Sequence, residues 1–252
     1  MSLVKTEAIV LRAISYHETS SIVRIFAEKS GVVSVIAKGA RRLKSPFRGY
    51  LEPFNHVEVI YYYKATREVQ TLANVELLRA YFADFPDVDK LLLPYSILEY
   101  LEKFTVPGAE SREIFKLVTT TFKLMEERPE MMELYFAQFL LDFSSIHGYR
   151  ISIANCGNCG KQIRRAYYDL KDGKFYCDEC SYLVEKSFIF LDSNVLRALD
   201  YLARGEVEGI PKFCNEKDVI RLIEFLMRWI AFHFGVKMEL KSFKVFSMIK
   251  RA

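Results

Sequence analysis

Catalytic signatures are missing from this sequence. It has no G-x4-G-K-[ST] phosphate loop, no G-x-S-x-G nucleophile elbow and no H-E-x-x-H helix, so P-loop hydrolysis, serine-hydrolase chemistry and zincin-type proteolysis have no starting residues. The four histidines, His17, His56, His147 and His233, stand far apart with no ligand-like spacing. "PDVDK" at 86–90 places two acids at what reads as a helix start, where Asp87 suits a cap better than a nuclease carboxylate. An enzyme is not expected. Long apolar runs are lacking too. The most apolar stretch, FLMRWIAFHF at 225–234, is interrupted by Arg228 and falls well short of the ~20 residues that span a bilayer. The opening MSLVKTEAIVLRA has no apolar h-region and meets Glu7 and Arg12 early, which argues against a signal or transit peptide. A soluble, cytoplasmic protein is expected. Repeats and low-complexity tracts are absent.

What is present is apolar and aromatic material, 51% and 14% of the 252 residues, enough for a sizeable core and more than one domain. Charge is unevenly spread. Basic residues outnumber acidic ones 12 to 7 in 1–79 and 17 to 13 in 156–252, but are outnumbered 7 to 12 in 80–155. Basic surfaces at both ends are implied, and only local density matters for phosphate, because salt screens charges more than about 10 Å apart.

Secondary-structure signals change at nearly the same points. Segments 4–14, 21–28, 31–38, 56–63 and 68–76 are short, rich in Val, Ile, Tyr and Thr, and bounded by turn residues, which predicts five strands. In "HVEVIYYY" Val57, Val59, Tyr61 and Tyr63 share one face, and the link "KATR" leads into "EVQTLANVE" as a hairpin. Five short strands with a long connection between the third and fourth fit a small closed barrel of the oligonucleotide-binding type. Beyond residue 80 the period becomes helical. "DKLLLPYSILEYLEKF" predicts a helix kinked at Pro94, followed by "SREIFKLVTTTFKLMEER" and by "PEMMELYFAQFLLDFSSIHG", which opens on Pro129. Two later helices start at Asp192 or Ser193 and at Asn215, the second ending at Gly235.

Between the helical groups stands "CGNCGKQIRRAYYDLKDGKFYCDEC". Cys156 and Cys159, and Cys177 and Cys180, form two C-x2-C pairs separated by 17 residues, a spacing that fits a zinc site. Four thiolates leave no open coordination position, so such a zinc is structural. Two disulfides or unrelated free thiols are the other readings, the first disfavoured in the cytoplasm and the second by the spacing. Cys214 stands alone and reads as core. Within the module Arg164, Arg165, Tyr167 and Tyr168 combine positive charge with aromatic rings, a pairing that serves phosphates and stacked bases or, equally, protein contacts.

"TEAIVLRAISYHETSSIVRIFAEKSGVVSVIAKGARRLKS", then "GYLEPFNHVEV", then helices interrupted by the cysteine pairs, resembles the RecO family of bacterial recombination mediators across essentially the whole chain. "AKGAR" with the following "LEPF" is its most specific part, the cysteines occur in only some members, and His17 departs from the small residue of many. The resemblance implies an α+β multidomain chain: an N-terminal five-stranded OB-fold barrel at 1–79, a helical domain at 80–152 and 183–252, and an inserted four-cysteine zinc-binding module at 153–182. It implies DNA binding, single- and double-stranded, annealing of complementary strands, partnership with RecR and with the tail of single-strand-binding protein in loading RecA, an indirect link to RecF, and association with the nucleoid.

Residues 38–50, "KGARRLKSPFRGY", carry Lys38, Arg41, Arg42, Lys44 and Arg48 with no acid before Glu52. In such a barrel this connection lines the rim of the oligonucleotide groove, so these five are the expected phosphate contacts, joined by Arg164 and Arg165. Phe47 and Tyr50 either stack on bases or fold back as anchors, and Tyr61 to Tyr63 divide between core and surface. A scaffold that binds only proteins has no need of five uncompensated charges, and a zinc-ribbon regulator would need base-edge readout from an element that is not evident. An acidic, apolar-ended tail needs an apolar groove with a basic rim, for which Phe225, Trp229 and Phe232 edged by Arg221, Arg228 and Lys237 are candidates; the competing reading places the aromatics in the core.

Overall fold

A computed structural model describes residues 2–105, 111–151, 153, 155–184 and 188–251. Five strands form early: β1 Ser2–Tyr16, β2 Ser20–Ala27, β3 Gly31–Ala37, β4 Asn55–Tyr63 and β5 Val69–Ala80. They close into a barrel in the order β1-β2-β3-β5-β4. β1 is long enough to serve two neighbours, since Ser2 to Ile9 pair with β4 and Ala8 to Tyr16 with β2. Closure comes from a short parallel contact, Ser34 to Ile36 of β3 against Val69 to Thr71 of β5. That is the connectivity of an OB fold.

Alternation along the strands fills the barrel. Ala8, Val10, Val23, Ile25, Val35, Val57, Val59, Tyr61, Leu72 and Val75 pack inside with Phe47 and Leu51. The three tyrosines divide between core and surface, Tyr61 in the core and Tyr62 outside it as alternation predicts, whereas Tyr63, on the same side as Tyr61, is exposed because the strand ends there. The β4–β5 link is tied by one side chain: Gln70 accepts from the Lys64 amide at 2.8 Å and donates to the carbonyl of Arg67 at 2.6 Å.

By contact density the chain divides into two units, Met1–Pro129 with Leu240–Ala252, and Glu130–Glu239. In the first, helices α1 Leu92–Phe104 and α2 Ser111–Glu127 accompany the barrel. The expected kink at Pro94 does not occur. The helix begins at Leu92, so Pro94 lies in the first turn, where no amide is required. Asp87 caps the turn before it, accepting from the Lys90 amide at 3.1 Å. Phe54, Phe82 and Phe122 meet edge to face at 5.3 to 5.9 Å and seat the helices on the barrel. Phe54 and Phe82 both take positive φ, a conformation tolerated because tight packing over-determines it. Arg12 and Arg24 converge on Glu102 of α1 at 2.7 and 3.2 Å. A helix that the periodicity did not indicate, α6 Lys241–Arg251, completes this unit. Its first amides are capped from α1: Glu99 accepts from the amides of Lys241 and Ser242 and from the Ser242 hydroxyl, at 2.7 to 3.1 Å.

In the second unit, α3 Met132–Ile146 is followed by strands β6 Ala166–Asp169, β7 Lys174–Tyr176 and β8 Phe188–Leu191, then by α4 Ser193–Ala203 and α5 Glu216–Phe234. The three strands form one sheet in the order β7-β6-β8. Asp192 caps α4, and Asn215 with Asp218 forms a capping box on α5, which matches the local sequence signals. Among the described residues no helix is long and apolar enough to cross a membrane.

Candidate nucleic-acid interface and metal centre

The connection between β3 and β4 runs as successive turns, and three kinds of attachment hold it. It leaves β3 through Gly39, whose φ of +71° a side chain would strain. Next, it bonds to the β1–β2 turn: the Arg41 amide donates to the Thr19 carbonyl at 2.9 Å and the Arg41 guanidinium to the His17 carbonyl at 3.3 Å. His17 itself sits at positive φ, so the departure at this position falls on the turn that receives the loop. Further on, Phe47 and Leu51 insert into the barrel core, and Asn55 Nδ2 donates to the carbonyls of Gly49 and Tyr50 at 2.9 and 3.1 Å.

With the apolar residues turned inward, the charges face water. Lys38, Arg41, Arg42, Lys44 and Arg48 are all exposed, and among the described residues none of them has an ion-pair partner. Arg48 donates to the Leu43 carbonyl at 3.3 Å. Of the two aromatic candidates, Phe47 is the anchor, 9% exposed, and cannot stack on a base, while Tyr50 is on the surface. Leu43, 85% exposed between Arg42 and Lys44, is a surface residue that charge counting passes over.

The two cysteine pairs converge. The Sγ atoms of Cys156, Cys159, Cys177 and Cys180 all lie within 4.8 Å of one another, with Cys159 and Cys177 at 3.8 Å. Four sulfurs at about 2.3 Å from a common tetrahedral centre are separated by nearly that distance, so the donor set could hold a metal ion. Asn158 Nδ2 donates to Cys180 Sγ at 3.3 Å and the Cys177 amide to Cys156 Sγ at 3.4 Å, the support that thiolates need. Burial pushes the Cys156 thiol up, but hydrogen bonds from the backbone of Cys159, Cys177 and Asn158 outweigh it and bring it down to about 6. Gly157 is required by closeness, since a Cβ there would meet the Lys174 side chain at 2.9 Å.

The remaining candidates separate. Arg165 is engaged by Asp178 at 2.8 Å, whereas Arg164 is exposed and lines a cleft beside α4. Tyr168, expected beside the charges, is buried against Phe225 of α5, and burial pushes its hydroxyl up to about 12. That packing removes the groove proposed on α5. Phe225 and Trp229 are 1% and 3% exposed and belong to the core, and Arg221 is engaged by Asp192. Arg228 and Phe232 are exposed and Lys237 pairs with Glu239 at 2.7 Å, but with two of the three aromatics buried no apolar floor remains between them.

Comparison with known proteins matches both parts of the chain to one family. Residues 1–81 match Recombination protein O N terminal and residues 86–242 match Recombination protein O C terminal. The chain belongs to the RecO family. It is 28% identical over 211 residues to a protein of Alkaliphilus metalliredigens named DNA repair protein RecO, covering 83% of this chain and 85% of the relative. A protein of the same name from Prosthecochloris aestuarii is 24% identical over 259 residues and covers 98% of both chains, and one from Chlorobium luteolum is 31% identical over 162 residues, 64% of this chain and 61% of the relative. In this RecO-family chain the stretch "AKGAR" is the point where the loop leaves β3 and bonds to the first turn, and "LEPF" carries Leu51, an anchor in the barrel core, and Phe54, which packs against the helices.

Anchoring makes a measurable difference. Phe47→Ala should lower the free energy of unfolding by about 3 kcal/mol and open the loop to trypsin at Arg41, Arg42, Lys44 and Arg48, whereas Tyr50→Ala should stay within about 0.5 kcal/mol of the parent. A Phe47→Ala protein with parental stability and parental trypsin resistance would show that the loop is held by other means.

Proposed function

We propose that this chain is a non-catalytic recombination mediator in DNA repair, which binds DNA phosphates through the β3–β4 loop and promotes pairing of complementary strands. The observation that carries the reading is the set of five exposed cations, unpaired among the described residues, on a loop whose conformation is fixed by its buried anchors. Affinity for DNA comes chiefly from neutralised phosphates and released counterions. Cations carried on a fixed loop leave only their side chains to be ordered when a DNA backbone arrives. Annealing asks for no nucleophile or general base: neutralising two strands lowers their mutual repulsion, and base pairing supplies the driving force. Family membership extends the proposal to work alongside RecR and single-strand-binding protein in placing RecA on single-stranded DNA.

The cysteine cluster takes a supporting part in this reading. Zinc suits four thiolates at this spacing, and with its coordination shell closed it would stabilise the β6–β7 hairpin without activating water. The proposed role is structural.

Replacing Arg41, Arg42 and Lys44 together by Ala should weaken binding to every DNA sequence alike. Each lost phosphate contact should reduce the slope of log K against log salt by about 0.9 on duplex and about 0.7 on single strands. A slope unchanged from the parent would remove the loop from the binding surface. For the metal, the purified protein should contain one zinc per chain, and Cys177→Ser should lose it and expose the 156–180 segment to protease while the barrel stays folded. Elemental analysis that finds no metal, with the four thiols oxidised in pairs, would refute that assignment.

A further inference from the structure

The sheet beside the cysteine cluster has one covered face and one uncovered face. Ala166 and Tyr168 point inward, the latter onto Phe225. On the opposite face Tyr167 lies directly across from Phe190, and Phe188, two residues before Phe190, shares that face. The rings of Phe188 and Phe190 stand 5.1 and 5.2 Å from that of Tyr167. Phe188 and Phe190 are 42% and 38% exposed. Two phenylalanines side by side in water on a sheet whose other face already supplies the core are a binding surface in search of an occupant.

The same chain segments lead into a cleft of about 530 Å³ lined by Ile163, Arg164, Leu196, Arg197 and Arg204. Arg164 lies three residues before Tyr167, and Arg197 follows Phe190 at the first turns of α4. Among the described residues neither Arg164 nor Arg197 has an ion-pair partner, while Arg204 is held by Asp200. Arg197 is nevertheless fixed: its guanidinium lies 4.0 Å over the Phe213 ring and donates to the Tyr201 hydroxyl at 3.3 Å. The position of this charge is settled and its sign is not compensated.

An acidic peptide with an apolar end could set its acids on the arginines and that end on a ring, but the three adjoining rings of Tyr167, Phe188 and Phe190 offer successive stacking surfaces that one apolar terminus does not fill. A single strand of nucleic acid uses both, because bases stack on aromatic faces while cations follow the backbone. We propose that this face is a second single-strand site, with bases on Tyr167, Phe188 and Phe190 and phosphates at Arg164 and Arg197, so that one chain holds two strands at once. The inference rests on the reading of the β3–β4 loop as the first strand's site. It gives annealing a physical basis: two strands neutralised on the same molecule meet at a high effective concentration.

Two variants test it, Arg164→Ala with Arg197→Gln, and Phe188→Leu with Phe190→Leu, which keeps apolar bulk and removes the rings. Native mass spectrometry with non-complementary strands of about eight nucleotides counts strands per chain, and a quenched-fluorophore assay follows annealing of complementary ones. The parent should bind two strands, each variant one, and each variant should anneal about tenfold more slowly, with far-UV circular dichroism and metal content unchanged. If both variants bind two strands and anneal at the parental rate, the second site is refuted. It is equally refuted if the parent never takes a second strand, whether or not an acidic peptide ending in phenylalanine binds this face. The triple loop variant separates the two readings: if it keeps both strands, the loop assignment fails, and if it keeps one that the cleft variant loses, the second site stands by itself.

Discussion

Burial of Phe47 and Leu51 in the barrel core is the constraint on which the rest of the proposed DNA surface depends. A connection as long as 38–54 has no ladder of its own, and five like charges within it repel one another. Left to that repulsion it would extend into solvent. Two inserted side chains, the Asn55 amide and the bonds from Arg41 to the first turn convert it into a fixed shelf on which the apolar atoms face in and the cations face out. The energetic cost of clustering the charges is met by apolar burial, and the clustering becomes available for binding a polyanion.

The cysteine-bearing unit solves a similar problem by different means. Its sheet is only three strands wide, a size that needs an apolar face or a packed helix to be stable. One face is secured on α5 by Tyr168 and Phe225, and at one end converge four sulfurs that could hold a metal ion. With that face secured, the opposite one can leave the rings of Phe188 and Phe190 exposed. Both units thus carry their proposed binding groups on backbone held by burial elsewhere, which would limit the entropy lost on binding.

The barrel could be read from the sequence because its signals are local. Period-two alternation marks each strand, and the pairing that closes the sheet follows from strand number and loop length. The cysteine cluster was legible for the same reason, two short spacings joined by a hairpin turn. Helix α6 was not, because nothing nearby caps it: its N-terminal amides are satisfied by Glu99, 142 residues away in sequence. The groove on α5 failed on another non-local fact. An amphipathic helix shows an apolar stripe without saying what covers it, and here Tyr168 from β6 takes the place next to Phe225. Arg164 reads from the sequence as a phosphate contact but its neighbour Arg197 does not, because 164 and 197 gather only when β6 and β8 pair, and the choice between stacking and anchoring at Phe47 could be made only once the barrel had closed around it.

Amide hydrogen exchange with and without a saturating single-stranded oligonucleotide addresses the central claim, that a preordered basic loop is the primary contact with DNA. The free protein should already show slowed exchange at Arg41, Arg42 and Ser45, whose amides are hydrogen-bonded, and DNA should slow exchange further across 38–50. Rapid exchange throughout the loop in the free protein, or protection by DNA that spares 38–50, would contradict the account.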